Sequence, residues 1–390
     1  MNRAAVNTIG SVGNKIGLVM PDALCHELEV KVHPLSATRR VYLIDPLNDS
    51  RWRDLLAAHP DASLFHSVEW LEALRRTYGY EPIVYTTSAP GQCLENGLAL
   101  CRIDSWLTGR RLVSLPFSDH CAPLVRREED LHILVGALQE ESHSKRWRYI
   151  EMRPLEPLVA ASPLIHPSAE YTLHQVDLRP DLDVLFGNLH KNSIQRKIKR
   201  AEREGVRYEE GSTASFLTTF YRLLIITRRR HRLPPQPLAW FRNLVDCFGK
   251  ALKIRVAVGK DGQPVAGMLT IRHGDTMVYK YGGSDLRFNS LGGMHLLYWR
   301  SIQDAKASGC HTLDLGRSDA DQAGLITFKN RWGAEQSRLS YCRLAPSGRT
   351  VHIFDPAVRT WRTRLAKHVF SLAPARALSV LGAALYKHVG

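Results

Sequence analysis

The chain has 390 residues, of which 44% are hydrophobic and 23% charged, a composition that fits a packed globular protein and excludes a largely disordered one. Its 53 Lys and Arg against 38 Asp and Glu give a net charge of +15, which excludes an acidic, solvating protein. Seven cysteines occur in no CxxC or other zinc-like spacing, so a reduced compartment fits better than a disulfide framework.

Residues 1–40 have weak periodicity and several Gly and Asn; they read as a loose arm without a secretory signal. From there the pattern predicts a strand over 39–45, helices over 51–59 and 68–78, and strands over 80–86, 97–103 and 111–116. A helix over 128–142 and a strand over 147–152 follow. Pro154, Pro157, Pro163 and Pro167 mark a boundary between two halves, with one more strand over 170–178.

The second half reads as helices over 193–204, 215–231 and 237–248, the first capped by Asn192 and stopped by Gly205. Strands over 252–258, 265–273 and 276–282 come next. A glycine-rich loop, a helix over 294–308, a strand over 312–315, a short helix over 324–332 and a last strand over 337–344 complete the series. No apolar run approaches the ~18–20 residues of a spanning helix. The expected setting is therefore cytoplasmic, with attachment to the inner membrane surface left open.

The excess charge is concentrated. Segments 190–207 and 221–232 carry +5 each and 346–390 carries +6, which leaves the remaining body at −1. Three basic patches on a near-neutral body point to phosphate-bearing partners at defined places. In the tail, residues 361–370 and 375–386 interleave basic and apolar side chains at helical spacing, a pattern suited either to an anionic bilayer surface or to the protein's own core.

Asn289, Gly292, Gly293 and Met294 lie between a strand and a helix, where backbone N–H groups can meet a phosphate; a tight turn needs the same glycines for steric reasons alone. No metal-ligand spacing is present, and none is expected to be needed.

Four ordered phrases make the reading more specific. They are His190 to Ala201 (HKNSIQRKIKRA), Tyr279 to Ser284 (YKYGGS), Leu313 to Ser318 (LDLGRS) and Phe328 to Gly333 (FKNRWG). Together with Glu69-Trp70, Tyr78-Gly79-Tyr80 and Leu115 to Asp119 (LPFSD), they resemble the Fem-type (FemAB-like) branch of the GNAT acyltransferases, including exopolysaccharide-associated members, over about three quarters of the chain. The resemblance implies an α/β protein of two tandem GNAT-like domains, each a mixed twisted sheet flanked by helices. They are expected at 41–178 and 179–345, between the 1–40 arm and a 346–390 tail.

The resemblance further implies an acyl donor, acyl-CoA or aminoacyl-tRNA. It implies a glycan or lipid-linked acceptor in a cell-envelope, peptidoglycan or exopolysaccharide precursor. Lys329 matches a lysine that the family places near the acyl carbonyl, where a cation stabilises a tetrahedral oxyanion. Asp314 and Arg317, at a strand end, read either as site residues or as a buried structural pair. Tyr281 is a candidate acid or sugar contact, although an aromatic strand residue more often serves the core. Arg196, Lys197 and Arg200 on a basic helix face, with Asp119 and Trp332, are the candidate substrate contacts. The expected protein is an acyltransferase acting on an amine by direct transfer. The alternative is a non-enzymatic nucleic-acid-binding protein using the 190–207 helix, although its patches lack interleaved aromatics.

Overall fold

The computed structural model describes residues 40–158, 165–344, 382 and 384–388. The described residues form one compact unit, and the expected N-terminal arm and most of the expected 346–390 tail lie outside them.

The first half contributes β1 (Tyr42–Ile44), α1 (Arg51–Ala58), α2 (Val68–Tyr78), β2 (Glu81–Thr86), β3 (Leu98–Ile103), β4 (Arg111–Val113), α3 (Glu128–Ser144) and β5 (Ile150–Met152). After β6 (Ile165–Asp177) come α4 (Leu182–Asn188), α5 (Arg196–Arg203), β7 (Arg207–Gly211), α6 (Ala214–Arg230) and α7 (Leu238–Phe248). The chain continues through β8 (Leu252–Val258), β9 (Pro264–His273), β10 (Thr276–Ser284), α8 (Gly293–Ala307), β11 (Thr312–Asp319), α9 (Ala323–Asn330) and β12 (Glu335–Leu344).

All these strands join one mixed sheet in the order β1-β2-β3-β4-β5-β12-β6-β11-β10-β9-β8-β7. The reading from sequence ends the first domain with β6, but β6 pairs with β11 and β12, strands of the second half. The link between halves is β12, whose last residues, Cys342 to Leu344, also pair with β5. A strand's partners are set by non-local pairing, so local pattern cannot assign them.

Helices join the halves a second time. In α2 the Ser67 side chain accepts from the Trp70 N–H, and Gly79 ends the helix in the left-handed region at φ 69°. Its buried face carries Trp70, Leu71, Leu74 and Tyr78. This face meets α7, with the Trp70 and Trp240 rings edge-on at 5.2 Å. On the opposite side of the sheet, α8 and α5 share a core with Trp332, Tyr298 and Leu315.

Two glycines permit close packing. A Cβ at Gly283 would lie 2.7 Å from the Leu223 backbone, so α6 can rest directly on β10. One at Gly293 would lie 2.7 Å from Val265. The helix after Leu189 begins as a π turn over Lys191–Gln195, capped by His190 rather than Asn192.

Candidate functional site

Two irregularities in adjacent strands build the site. Register shifts between Tyr279 and Tyr281 in β10, and between Asp314 and Arg317 in β11. Such bulges re-aim side chains. The β11 bulge uses Gly316 at φ 70°, where a Cβ would lie 3.0 Å from Asp119 Oδ2. At the β10 bulge, Lys280 reaches Asp119 and Phe65 of the first half, while Tyr281 packs against Trp240 and Phe241 of α7.

Asp119 is delivered by a strained loop. Leu115 and Phe117 adopt φ of 46° and 61°, a conformation that costs on the order of 1–3 kcal/mol for each non-glycine residue. The loop is held over its length: Arg153 Nη1 donates to the carbonyls of Leu115 and Ser118, and Tyr341 OH donates to the Asp119 carbonyl at 2.6 Å.

Lys280 Nζ donates to Asp119 Oδ2 at 2.7 Å and lies over the Phe65 ring at 4.8 Å. Arg317 Nε stands 3.8 Å from Asp119 Oδ1, its guanidinium stacked 3.9 Å from the Tyr171 ring. Burial alone would raise the Asp119 carboxyl; Lys280 and then Arg317 overcome this and hold it below the ordinary carboxylate value.

Asp314 accepts from the Gly316 N–H at 2.6 Å, and its Oδ2 lies 3.3 Å from His120 Nε2. His120 Nδ1 has no partner. Lys329, buried on α9, donates from Nζ to the carbonyls of Gly316 at 2.8 Å and Arg317 at 3.0 Å. Burial pushes its ammonium down to about 8, against the pull of Asp119 and Asp314. Beside it lies buried His174.

His120 and Asp314 line a cleft of about 670 Å³ whose walls are the 59–69 loop of the first half and Gln175, His273, Asp275 and Val278 of the second. The structure thus gathers Lys329, Asp314, Arg317 and Asp119 into one cluster. It brings in His120, which the sequence pairs with Asp119 in one Pro-flanked loop, and Lys280, the latter missed because an aromatic-flanked strand lysine gives no sign of a bulge.

The other candidates lie elsewhere. Tyr281 is in the aromatic core, its hydroxyl accepting from Trp240 Nε1 at 2.9 Å, and burial raises its pKa. Trp332 packs in the core against Tyr298 at 5.1 Å. Gly292 is buried against α5, a Cβ there lying 2.4 Å from the Lys197 carbonyl oxygen, with Met294 partly covered and Asn289 exposed. Arg196 and Arg200 are exposed on α5, Arg200 lying 3.6 Å from Glu204. Among the described residues, no group of three or more His, Cys, Asp or Glu could hold a metal ion.

Residues 189–330 match the family model for an acetyltransferase (GNAT) domain. A UDP-N-acetylmuramoylpentapeptide-lysine N(6)-alanyltransferase of Weissella viridescens is 25% identical over 146 residues, covering 37% of this chain and 43% of that enzyme. The crystal structure of FemX superposes with a TM-score of 0.61 at 15% identity, covering 77% of this chain and 96% of that one. A tandem GNAT protein from the clavulanic acid biosynthesis pathway gives 0.52 at 14% identity, covering 80% of this chain and 100% of that one. The fold is that of a tandem GNAT protein, its second half carries a segment that matches an acetyltransferase (GNAT) domain, and the chain is similar to Fem-type enzymes over that segment.

Proposed function

We propose that the protein transfers an aminoacyl group from a tRNA ester to a primary amine on a cell-envelope peptidoglycan or glycan precursor. The observation that carries this reading is the buried cluster of Asp119, Lys280, Asp314, Arg317 and Lys329, drawn from both halves, whose member Asp314 also lines the cleft. A site with fixed charge and little water suits a reaction that develops an oxyanion.

In this reading the acceptor enters as an ammonium drawn to ionised Asp119. His120, oriented by Asp314, takes its proton. The amine nitrogen then attacks the acyl carbon, the carbonyl oxygen becomes an oxyanion beside the Lys329 ammonium, and collapse breaks the ester C–O bond and expels the tRNA 3′-oxygen, which takes up the proton that the attacking nitrogen gives up to leave a neutral amide and a hydroxyl. Exposed Arg196 and Lys199 on α5 are suited to the donor's phosphates. The filled space at Gly292 and Gly293 supports an ester donor over acyl-CoA, because those glycines serve packing instead of leaving room for a pyrophosphate.

The test supplies the protein with UDP-N-acetylmuramoyl pentapeptide containing lysine and, separately, alanyl-tRNA or acetyl-CoA, and follows acceptor mass. Alanine addition that is lost in Lys329→Met is the expected result. Acetyl addition alone would overturn the donor assignment, and no product from either donor with this or other amine acceptors would overturn the reading.

A further inference from the structure

The β3–β4 loop, Asp104 to Arg110, has no role in the cleft and carries an anomaly. Trp106 is 87% exposed and its neighbour Leu107 52%, while the other described tryptophans are buried. The tip is nonetheless ordered. Ser105 Oγ accepts from the N–H groups of Leu107 and Thr108, Gly109 N–H donates to the Ser105 carbonyl at 2.7 Å, and Arg148 Nη1 donates to the Thr108 carbonyl at 3.0 Å. An apolar pair is thus presented to water on a rigid support.

Basic groups surround its base. A pocket of about 370 Å³ is lined by Arg102, Arg110, Lys145 and Lys387, with Glu81 and Asp104 as its carboxylates. Those carboxylates stand off at 3.8 Å from Arg102 and 3.7 Å from Arg110, while Lys145 is paired with Glu141 at 2.8 Å, so the two arginines are the loosely paired cations of the pocket. Arg146 and Arg148 are exposed nearby in the chain.

The described end of the C-terminal tail is seated here as well. The His388 carbonyl accepts from Thr108 Oγ1 and Arg111 Nη2, each at 2.8 Å, and the His388 ring stands edge-on to Trp106 at 5.6 Å. This contact brings Lys387 to the pocket.

We propose that this loop docks the protein on an anionic phospholipid bilayer, with Trp106 and Leu107 entering the headgroup region and the basic pocket holding a lipid phosphate. An indole flanked by cations is suited to the membrane interface, where its ring meets the acyl boundary and the cations meet negative headgroups. A soluble phosphate compound would account for the pocket but leave the bare indole and leucine unexplained. The proposal stands apart from the transferase reading, because it uses no residue of the cleft.

The experiment sediments the full-length protein with equimolar phosphatidylglycerol–phosphatidylcholine vesicles and with pure phosphatidylcholine vesicles at low salt. Binding to the anionic vesicles alone is expected, weakened about fivefold or more by Trp106→Ala and likewise by Arg110→Glu. Bromine-labelled acyl chains should quench fluorescence in the wild type and lose that quenching in Trp106→Phe. An unchanged thermal midpoint checks that these surface variants fold. Unweakened binding by Trp106→Ala, or quenching that persists in Trp106→Phe, would overturn the proposal. So would a failure to bind anionic vesicles together with Arg110-dependent thermal protection by inorganic phosphate, which would make the pocket a site for a soluble anion.

Discussion

Lys329 has two chemical uses at neutral pH, and its environment separates them. Burial brings its ammonium to about 8, so the cation dominates below that pH and the free amine above it. If the ammonium faces the oxyanion, transfer slows as pH rises through about 8, and Lys329→Arg moves that limb upward because the guanidinium stays charged. Lys329→Met should slow transfer about 100-fold, the scale of losing one oxyanion donor. Rates measured from pH 6.5 to 9.5 decide between the uses; a limb that rises through about 8 would assign Lys329 as a base. The FKNRWG phrase makes this lysine legible in sequence. Lys280 was not, because its placement depends on a bulge, and the same geometry sends Tyr281 into the aromatic core.

At the scale of elements, α6 lies against β10 because Gly283 has no side chain. Gly283→Ala would force the helix away from the strand or distort Leu223, and it is expected to lower stability by about 1–3 kcal/mol, the usual range for overpacking. Urea unfolding measures this, and an unchanged midpoint would show that the packing yields. Most elements were legible from local pattern, α2 from its helical spacing, and β8 to β10 from their strand-like runs. Two were not. β7, Arg-Tyr-Glu-Glu-Gly, is a charged edge strand that looks like loop, its glutamate Glu210 joining Lys253, Arg255 and Asp304 in an ion network. The short α4 lacks enough turns to show a period.

Over the whole molecule, the buried histidines govern response to acid. Burial pushes His66 down to about 3, His174 to about 4 with help from Lys329, and His295 to about 4 with help from Lys197. Unfolded, each titrates near 6.5, so between that pH and about 4 the unfolded chain binds protons that the folded one refuses. Stability is therefore full above about 6.5 and falls as pH drops, by roughly 1.4 kcal/mol per pH unit for each such group. Calorimetry at pH 7 and pH 5 should show a clear fall in thermal midpoint; equal midpoints would mean that the histidines protonate in the folded protein. The tandem architecture was legible from the order of phrases, while its continuity was not, because β12 pairs across both halves. That strand also has a meaning for synthesis. Until residues 335–344 leave the ribosome, β5 and β6 each keep an open edge, a wait of about ten to forty seconds at common elongation rates. The nascent chain must keep two sticky borders apart before its last strand can close the seam, which makes premature termination near the C-terminus a route to aggregation.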